Sequence, residues 1–274
     1  MLTIASWNVN SIKARLPHLL QWLASFRPDI VLLQETKVVD DAFPRLEIED
    51  SGYNVAAVGQ KTYNGVAVLS RQPIDVLARA LPGDDSDEQA RYLEVFTAGF
   101  RVASLYVPNG NPVDSAKFPY KLGWLERLYQ HARTVLTGDD RVVFGGDFNI
   151  APAANDVYDP EGWKNDALCR LESRAGLRKI LYLGLTDALR ARSPGVTGPF
   201  TWWDYRRGAF AADEGLRIDH LLLSPQALDR LGECGVDRTP RGWERPSDHA
   251  PAWCRFTDDD VAASDGTPTG GAGA

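Results

Sequence analysis

The sequence predicts an α+β domain of stacked layers, with sheets inside and helices outside. Three observations carry this. Short β-rich runs recur through most of the chain, and most of them stop at Gly, Pro, Asn or Asp. Helical periodicity is confined to a few segments separated by several strands, which argues against strict strand-helix alternation. The composition, 44% hydrophobic, 24% charged and 10% aromatic over 274 residues, is that of an ordinary globular protein rather than a disordered or fibrous one.

In chain order the predicted strands are 2–7, 30–34, 54–58, 65–70, 92–97, 101–107, 141–144, 217–224 and 250–256. A helix is expected over 17–26, where Leu19, Leu20, Leu23 and Phe26 share one face behind Pro17, a residue suited to a first turn. A second covers 121–136, with Leu125, Leu128, Ala132 and Val135 as its buried stripe, and a third covers 166–175. Residues 258–274 offer no large apolar side chain except Val261 and cannot offset their ordering entropy. The expected organisation is therefore one domain over 1–257 followed by a disordered acidic tail.

A net charge of −7 speaks at first against a nucleic-acid partner. Its distribution weakens that objection: residues 258–274 carry −4 and the run at 84–88 another −4, which leaves +1 for everything else. Cys169, Cys234 and Cys254 are odd in number and lack CxxC spacing, so neither a disulfide framework nor a thiolate zinc site is expected. No run reaches the ~18 apolar residues of a membrane span, and Met1 leads into a strand rather than a basic, then apolar, leader. A soluble cytoplasmic protein is expected.

Polar residues stand where buried strands end, positions that often carry chemistry. Asn8 and Asn10 close the first strand, Glu35 the second, and Tyr106 and Asn109 follow a later one. Asp147 and Asn149 sit in Gly-Gly-Asp-Phe-Asn, Asp219 lies in the 216–224 strand, and Asp248-His249 precede the last strand. Singly, Asn8, Asp147 and Asp219 read as turn residues. Glu35 is harder to dismiss, because a carboxylate half-buried behind Ile-Val-Leu-Leu-Gln needs a partner or a metal. Together these groups are oxygen and imidazole donors without a thiolate, a set suited to a hard cation such as Mg²⁺.

The strings WNVNSIKAR (7–15), LLQETK (32–37), YNGVAVLS (63–70), YVPNG (106–110), GGDFNI (145–150), TWWDYR (201–206), GLRIDHLLLS (215–224) and SDHAP (247–251) occur in order. This pattern, spanning about 1–257, resembles exonuclease III-type apurinic/apyrimidinic endonucleases of the endonuclease/exonuclease/phosphatase superfamily. The resemblance implies a four-layered, deoxyribonuclease I-like α/β sandwich, and Mg²⁺ with Mn²⁺ able to substitute. It further implies hydrolysis of the phosphodiester 5′ to an abasic site in double-stranded DNA, leaving a 3′-hydroxyl, with 3′–5′ exonuclease and 3′-phosphatase action on blocked 3′ ends as family variations. A monomer with no membrane partner is expected.

In that resemblance Glu35 is the principal metal ligand, and the wider metal set is Asn8, Asp147, Asn149, Asp248 and His249. Asp147 resembles the base, Asn149 a phosphate contact, and His249 a phosphate-charge stabiliser oriented by Asp248. Tyr106 would assist at the phosphate or leaving group, and Asp219 would position the metal or Tyr106. An alternative makes His249 the base and Asp147 a second metal ligand. The expected DNA and abasic-site residues are Asn10, Lys13, Arg15, Lys37, Tyr63, Asn64, Asn109 and Arg206, with Trp202, Leu216 and Ile218 lining the sugar pocket; Arg241 and Arg245 add nearby charge. Two departures from the family pattern stand out: His220 where an apolar residue is common, and Ser11-Ile12 where Gly-Leu is often found. A phosphatase of inositol phosphates or phospholipids on the same scaffold is the closest alternative.

Overall fold

A computed structural model describes residues 1–258, and the segment read as a tail lies, from residue 259 on, outside the described residues. The strands are β1 (Leu2–Asn8), β2 (Ile30–Gln34), β3 (Asn54–Val58), β4 (Val66–Ser70), β5 (Asp75–Ala78), β6 (Tyr92–Thr97), β7 (Phe100–Tyr106) and β8 (Val142–Asp147). They continue with β9 (Thr186–Asp187), β10 (Trp202–Trp203), β11 (Gly215–Leu216), β12 (Asp219–Leu223), β13 (Leu231–Val236) and β14 (Ala252–Phe256). They form two six-stranded sheets, ordered β13-β14-β1-β2-β4-β3 and β5-β6-β7-β8-β12-β9, beside a β10-β11 ribbon. Each six-stranded sheet is mixed: β1 runs parallel to β2 and antiparallel to β14, while β8 runs parallel to β7 and antiparallel to β12.

Alternation along the strands makes four layers. Ile4, Ile30, Leu32, Val66 and Val68 turn inward against Val102, Val143, Leu221 and Leu223 of the other sheet. Their neighbours Ala5, Trp7, Val31 and Leu33 turn outward under Leu19, Trp22 and Leu23 of the helix Ile12–Phe26. On the far side, Ala103, Leu105, Phe144 and Leu222 meet Trp124, Leu125 and Leu128 of the helix Lys117–Val135, with Leu177 and Ile180 of the helix Leu171–Leu181. Both faces of each sheet are covered, which is why the strands read as near-continuous apolar runs. This is the DNase I-like sandwich that was expected.

The glycine pair ahead of Asp147 is explained by close approach. A Cβ on Gly145 would come within 2.5 Å of Leu32 Cδ1 in the opposite sheet, and one on Gly146 within 2.0 Å of the Leu105 carbonyl oxygen. Glycine therefore lets β8 lie against both its own neighbour and the other sheet just before the polar residues begin.

Some boundaries differ from expectation. The first helix begins at Ile12, because Ser11 caps it, its hydroxyl accepting from Ala14 N, and Pro17 lies inside the helix, in its exposed second turn, rather than at its start. The helix expected over 166–175 begins at Leu171, since Asp166 instead organises a turn, its carboxylate accepting from Leu168 N. Edge strands β5, β9 and β13 and the β10-β11 ribbon were not foreseen. Among the described residues no helix is long and apolar enough to cross a membrane.

Candidate active site

The strand ends converge at the seam between the sheets. One sheet delivers Tyr106, Asp147 and Asp219 side by side, since β7 and β12 flank β8 with Tyr106 and Asp219 both in register with Asp147. The other delivers Asn8 and, one residue beyond β2, Glu35. Asn8 Nδ2 donates to Glu35 Oε1 and to Asp147 Oδ2, both at 2.9 Å, and so ties the sheets together. The segment 247–249 is pinned to the same place: Ser247 Oγ donates to the Asn8 carbonyl at 2.6 Å, and Trp7 Nε1 donates to the His249 carbonyl at 3.2 Å. Backbone strain gathers here, with Asn10, Ser11, Glu35, Lys37 and Asn149 all at positive φ.

His249 Nδ1 lies 2.9 Å from Asp219 Oδ2, and His249 Nε2 lies 3.8 Å from Asp147 Oδ2. Burial alone would depress the imidazole, but the carboxylates of Asp219 and Asp147 outweigh it and hold His249 up to about 10. Asp147 is pushed up to about 7 by burial, with Asp219 and Glu35 adding to the rise against the opposing pull of His249. Burial opposes ionisation of Glu35, yet the Lys37 ammonium at 2.8 Å and the Asn8 amide keep it below the usual carboxylate range. Burial, then the charges of Glu35 and Asp147, push the Tyr106 phenol well above 10.

Asp147, Asp219 and His249 place one ligand-type atom each within 4.8 Å of one another. Asp219 Oδ1 is buried without a hydrogen-bond partner. An anionic floor with an orphaned carboxylate oxygen, built of carboxylate and imidazole donors without a thiolate, fits a hard divalent cation. Beside it opens a cavity of about 310 Å³ whose wall is Trp202, Ile218, Trp163 and Leu168, with Asn109, Asn149 and Asp248 on its polar side.

Several expected placements are corrected. Asp248 does not orient His249: Asp248 accepts from Asn10 Nδ2 and Trp202 Nε1, both at 2.9 Å, while Asp219 takes the imidazole. With both oxygens engaged, Asp248 stands outside the cluster formed by Asp147, Asp219 and His249. Asn8 presents its N–H groups to the carboxylates because Asn10 N fixes its Oδ1 at 3.0 Å, so it bridges ligands instead of being one. Asn149 likewise spends its amide on Val107 O and Asn109. Leu216 is fully buried behind the pocket wall, packed with Leu168 and Ile218.

On the DNA-facing residues, Arg15 is committed to the Asn10 and Pro246 carbonyls, and Lys37 to Glu35 and Asn10. Lys13 is exposed beside Asp40 and Asp41, away from the cavity, and Arg241 is buried on the Trp203 carbonyl. Asn64 is buried in a turn with Gln60 and Gln89, while Tyr63 is 68% exposed and lines neither site cavity. Arg206 is exposed and lines a second cavity of about 270 Å³ that shares Trp163 and Trp202 with the first.

Sequence reasoning missed Trp163 and Leu168, which no local pattern marks, and Thr201, whose Oγ1 accepts from Ile218 N and Asp219 N at 3.1 Å. It also missed Lys121, wholly buried, whose Nζ donates to the carbonyls of Asn109 and Asn149; burial brings it down to about 7. An apolar-looking helix face concealed that lysine.

Comparison with known proteins agrees with this geometry. Residues 5–249 match the Endonuclease/Exonuclease/phosphatase family. The chain is 35% identical to exodeoxyribonuclease III of Haemophilus influenzae, covering 92% of this chain and 98% of that one. A structure of the 3′ phosphatase NExo from Neisseria bound to product DNA hairpin is 42% identical with a TM-score of 0.91, covering 94% of this chain and 100% of that one. An AP endonuclease from Archaeoglobus fulgidus is 39% identical with a TM-score of 0.89, covering 93% and 99%.

Proposed function

The chain belongs to the endonuclease/exonuclease/phosphatase family, and from that premise we propose that it is a DNA base-excision-repair nuclease. It is a metal-dependent phosphodiesterase; in our reading it hydrolyses the bond 5′ to an abasic site in double-stranded DNA and leaves a 3′-hydroxyl. It works as a cytoplasmic monomer. The observation that carries this is a single cavity in which the anionic residues Glu35 and Asp147 face an apolar wall of Trp202, Trp163, Leu168 and Ile218. A sugar without its base can leave the helix at low unstacking cost, and an apolar wall of limited volume disfavours an intact nucleotide.

Phosphodiester hydrolysis needs an aligned water, a proton acceptor and charge compensation on the phosphate. Asp147 is the acceptor: one oxygen is fixed by Asn149 N and the other by Asn8 Nδ2, and its carboxyl is poised near 7. His249 is the cation at the phosphate, its Nδ1–H held by Asp219, which favours Asp147 over His249 as base. Tyr106 keeps its proton and donates it to a phosphate or leaving oxygen. Glu35 would be the principal holder of Mg²⁺, or Mn²⁺ in its place, which when bound supplies compensation for charge on the phosphate and the leaving oxygen. Arg206 reaches backbone phosphate, with Lys37 and Asn10 adding support from the β1 side.

The test compares incision of a duplex carrying one stable abasic analogue with phosphate release from an inositol phosphate, both with Mg²⁺. Incision giving a 3′-hydroxyl fragment is expected; phosphate release with the duplex left intact would overturn the reading. The likeness to NExo favours a second activity at the same site, removal of blocking groups from 3′ ends. A 3′-phosphorylated nicked duplex measures it.

A further inference from the structure

Cys234 and Cys254 lie directly opposite each other where β13 pairs with β14. Residues so paired across antiparallel strands have Cα atoms about 4.5–5.5 Å apart, within the span of about 4.4–6.8 Å that a disulfide bridges. Being opposite, the two side chains share the inner face of the sheet, and both pack into the core between the sheets. The two thiols face each other closely enough for each to perturb the other's acidity, and Cys234 Sγ donates to the Ala188 carbonyl at 3.3 Å. Access is unequal: Cys254 is fully buried, whereas Cys234 is half-buried on the outermost strand of its sheet. That strand can adjust, since it carries Gly232 and Gly235 and its register with β14 shifts between Leu231 and Glu233.

We infer that Cys234 and Cys254 form an oxidative modification site that takes hydrogen peroxide and closes to a disulfide. The Cys234 sulfur attacks the peroxide, its proton leaves with the displaced hydroxide as water, and Cys234 becomes a sulfenic acid. The Cys254 thiol then attacks that sulfur and expels its oxygen as a second water. Two thiols and one peroxide yield one disulfide and two waters, the sulfurs being oxidised and the peroxide reduced. The division of roles agrees with the thiols' acidity: the Cys254 thiol and the Arg192 charge lower Cys234, while burial pushes Cys254 up. The bond would close residues 235–253 into a covalent loop, and that loop carries Asp248 and His249. An oxidised molecule thus has the base of its catalytic loop clamped.

The experiment treats the full chain with stoichiometric hydrogen peroxide, alkylates the remaining thiols, and maps the peptides by mass. The expected result is one peptide pair joined through Cys234 and Cys254 with two hydrogens lost, Cys169 alkylated, and the link removed by reductant. The thermal midpoint of the oxidised protein should rise by several degrees. Cys234→Ser should abolish the link and leave metal-dependent DNA cleavage within twofold of wild type. Recovery of all three cysteines alkylated, or of Cys234 as sulfinic acid beside a free Cys254, would overturn the assignment. A link without any rise in midpoint would overturn the clamping of the loop.

Discussion

Two clusters of buried charge lie within a few residues of one another along β12, and they are built on opposite principles. Behind the pocket, Arg217 holds Asp156 and Asp187 at 2.7 Å each, Arg190 also bonds Asp156, and His220 fits neutrally between them. Its tautomer is fixed, because Nδ1 accepts from Arg217 while Nε2 donates to the Ile150 carbonyl at 2.8 Å. Two carboxylates thus meet two guanidinium groups. At the seam, the ion pairs of Glu35, Asp147 and Asp219 among the described residues are with Lys37 and His249. Burial raises both Asp147 and Asp187 in principle; Arg217 turns Asp187 downward, while Asp147 ends near 7. Where charge is balanced from within, the cluster serves the fold; where it falls short, it is built to receive something positive.

Removing the metal gives the largest contrast: excess EDTA should abolish DNA cleavage while the circular dichroism spectrum stays unchanged. Full cleavage under chelation would break the distinction. Arg217→Met should cost about 3–5 kcal/mol of stability in a denaturant titration, since it leaves the buried Asp187 carboxylate without its guanidinium and Asp156 with Arg190 alone. A loss within the error of the titration would show the inner cluster to be as dispensable as a surface pair.

Asp147→Asn should do the reverse, lowering kcat by more than ~100-fold with DNA affinity little changed. The thermal midpoint should hold or rise, because the substitution removes uncompensated charge. An unfolded variant would mean that Asp147 is structural.

The two clusters also pull stability in opposite directions with pH. His220 is held below its ordinary value by burial and Arg217, so the unfolded chain takes up its proton first and stability falls as pH drops through 6.5; Asp187 extends the loss further into acid. His249, raised to about 10, stabilises fully below 6.5 and loses that contribution as pH climbs to 10. His220→Leu should therefore flatten the acid limb of the thermal midpoint and leave the alkaline limb in place. Melting curves from pH 5 to 9 check this, and an unaltered acid limb would assign it elsewhere.

Much of the seam was legible because apolar runs such as Ile-Val-Leu-Leu end abruptly in residues such as Gln34 and Glu35, and a strand end is a one-dimensional signal. What could not be read is which ends become neighbours. Asp248 is next to His249 in sequence, yet Asp219, thirty residues away, takes the imidazole, since that pairing depends on how two sheets stack. Trp163 and Leu168 reach the pocket from an irregular segment without periodicity. Cys234 and Cys254 showed no metal or disulfide spacing because their nearness comes from strand register. Edge strand β13 was hidden by its glycines, and Lys121 by the apolar stripe around it.

The closing of the first sheet sets when the nuclease can exist at all. β1, near the start of the chain, pairs along its length with β14, near the end of the described residues, and the His249 segment is pinned to Asn8 and Trp7 just ahead of that pairing. During synthesis on the ribosome, the strand that opens the sheet must wait for the one that completes it. A growing chain short of residue 249 lacks its imidazole, and one short of β14 has no partner strand to seat it. The imidazole is therefore seated only once both ends of the first sheet have met.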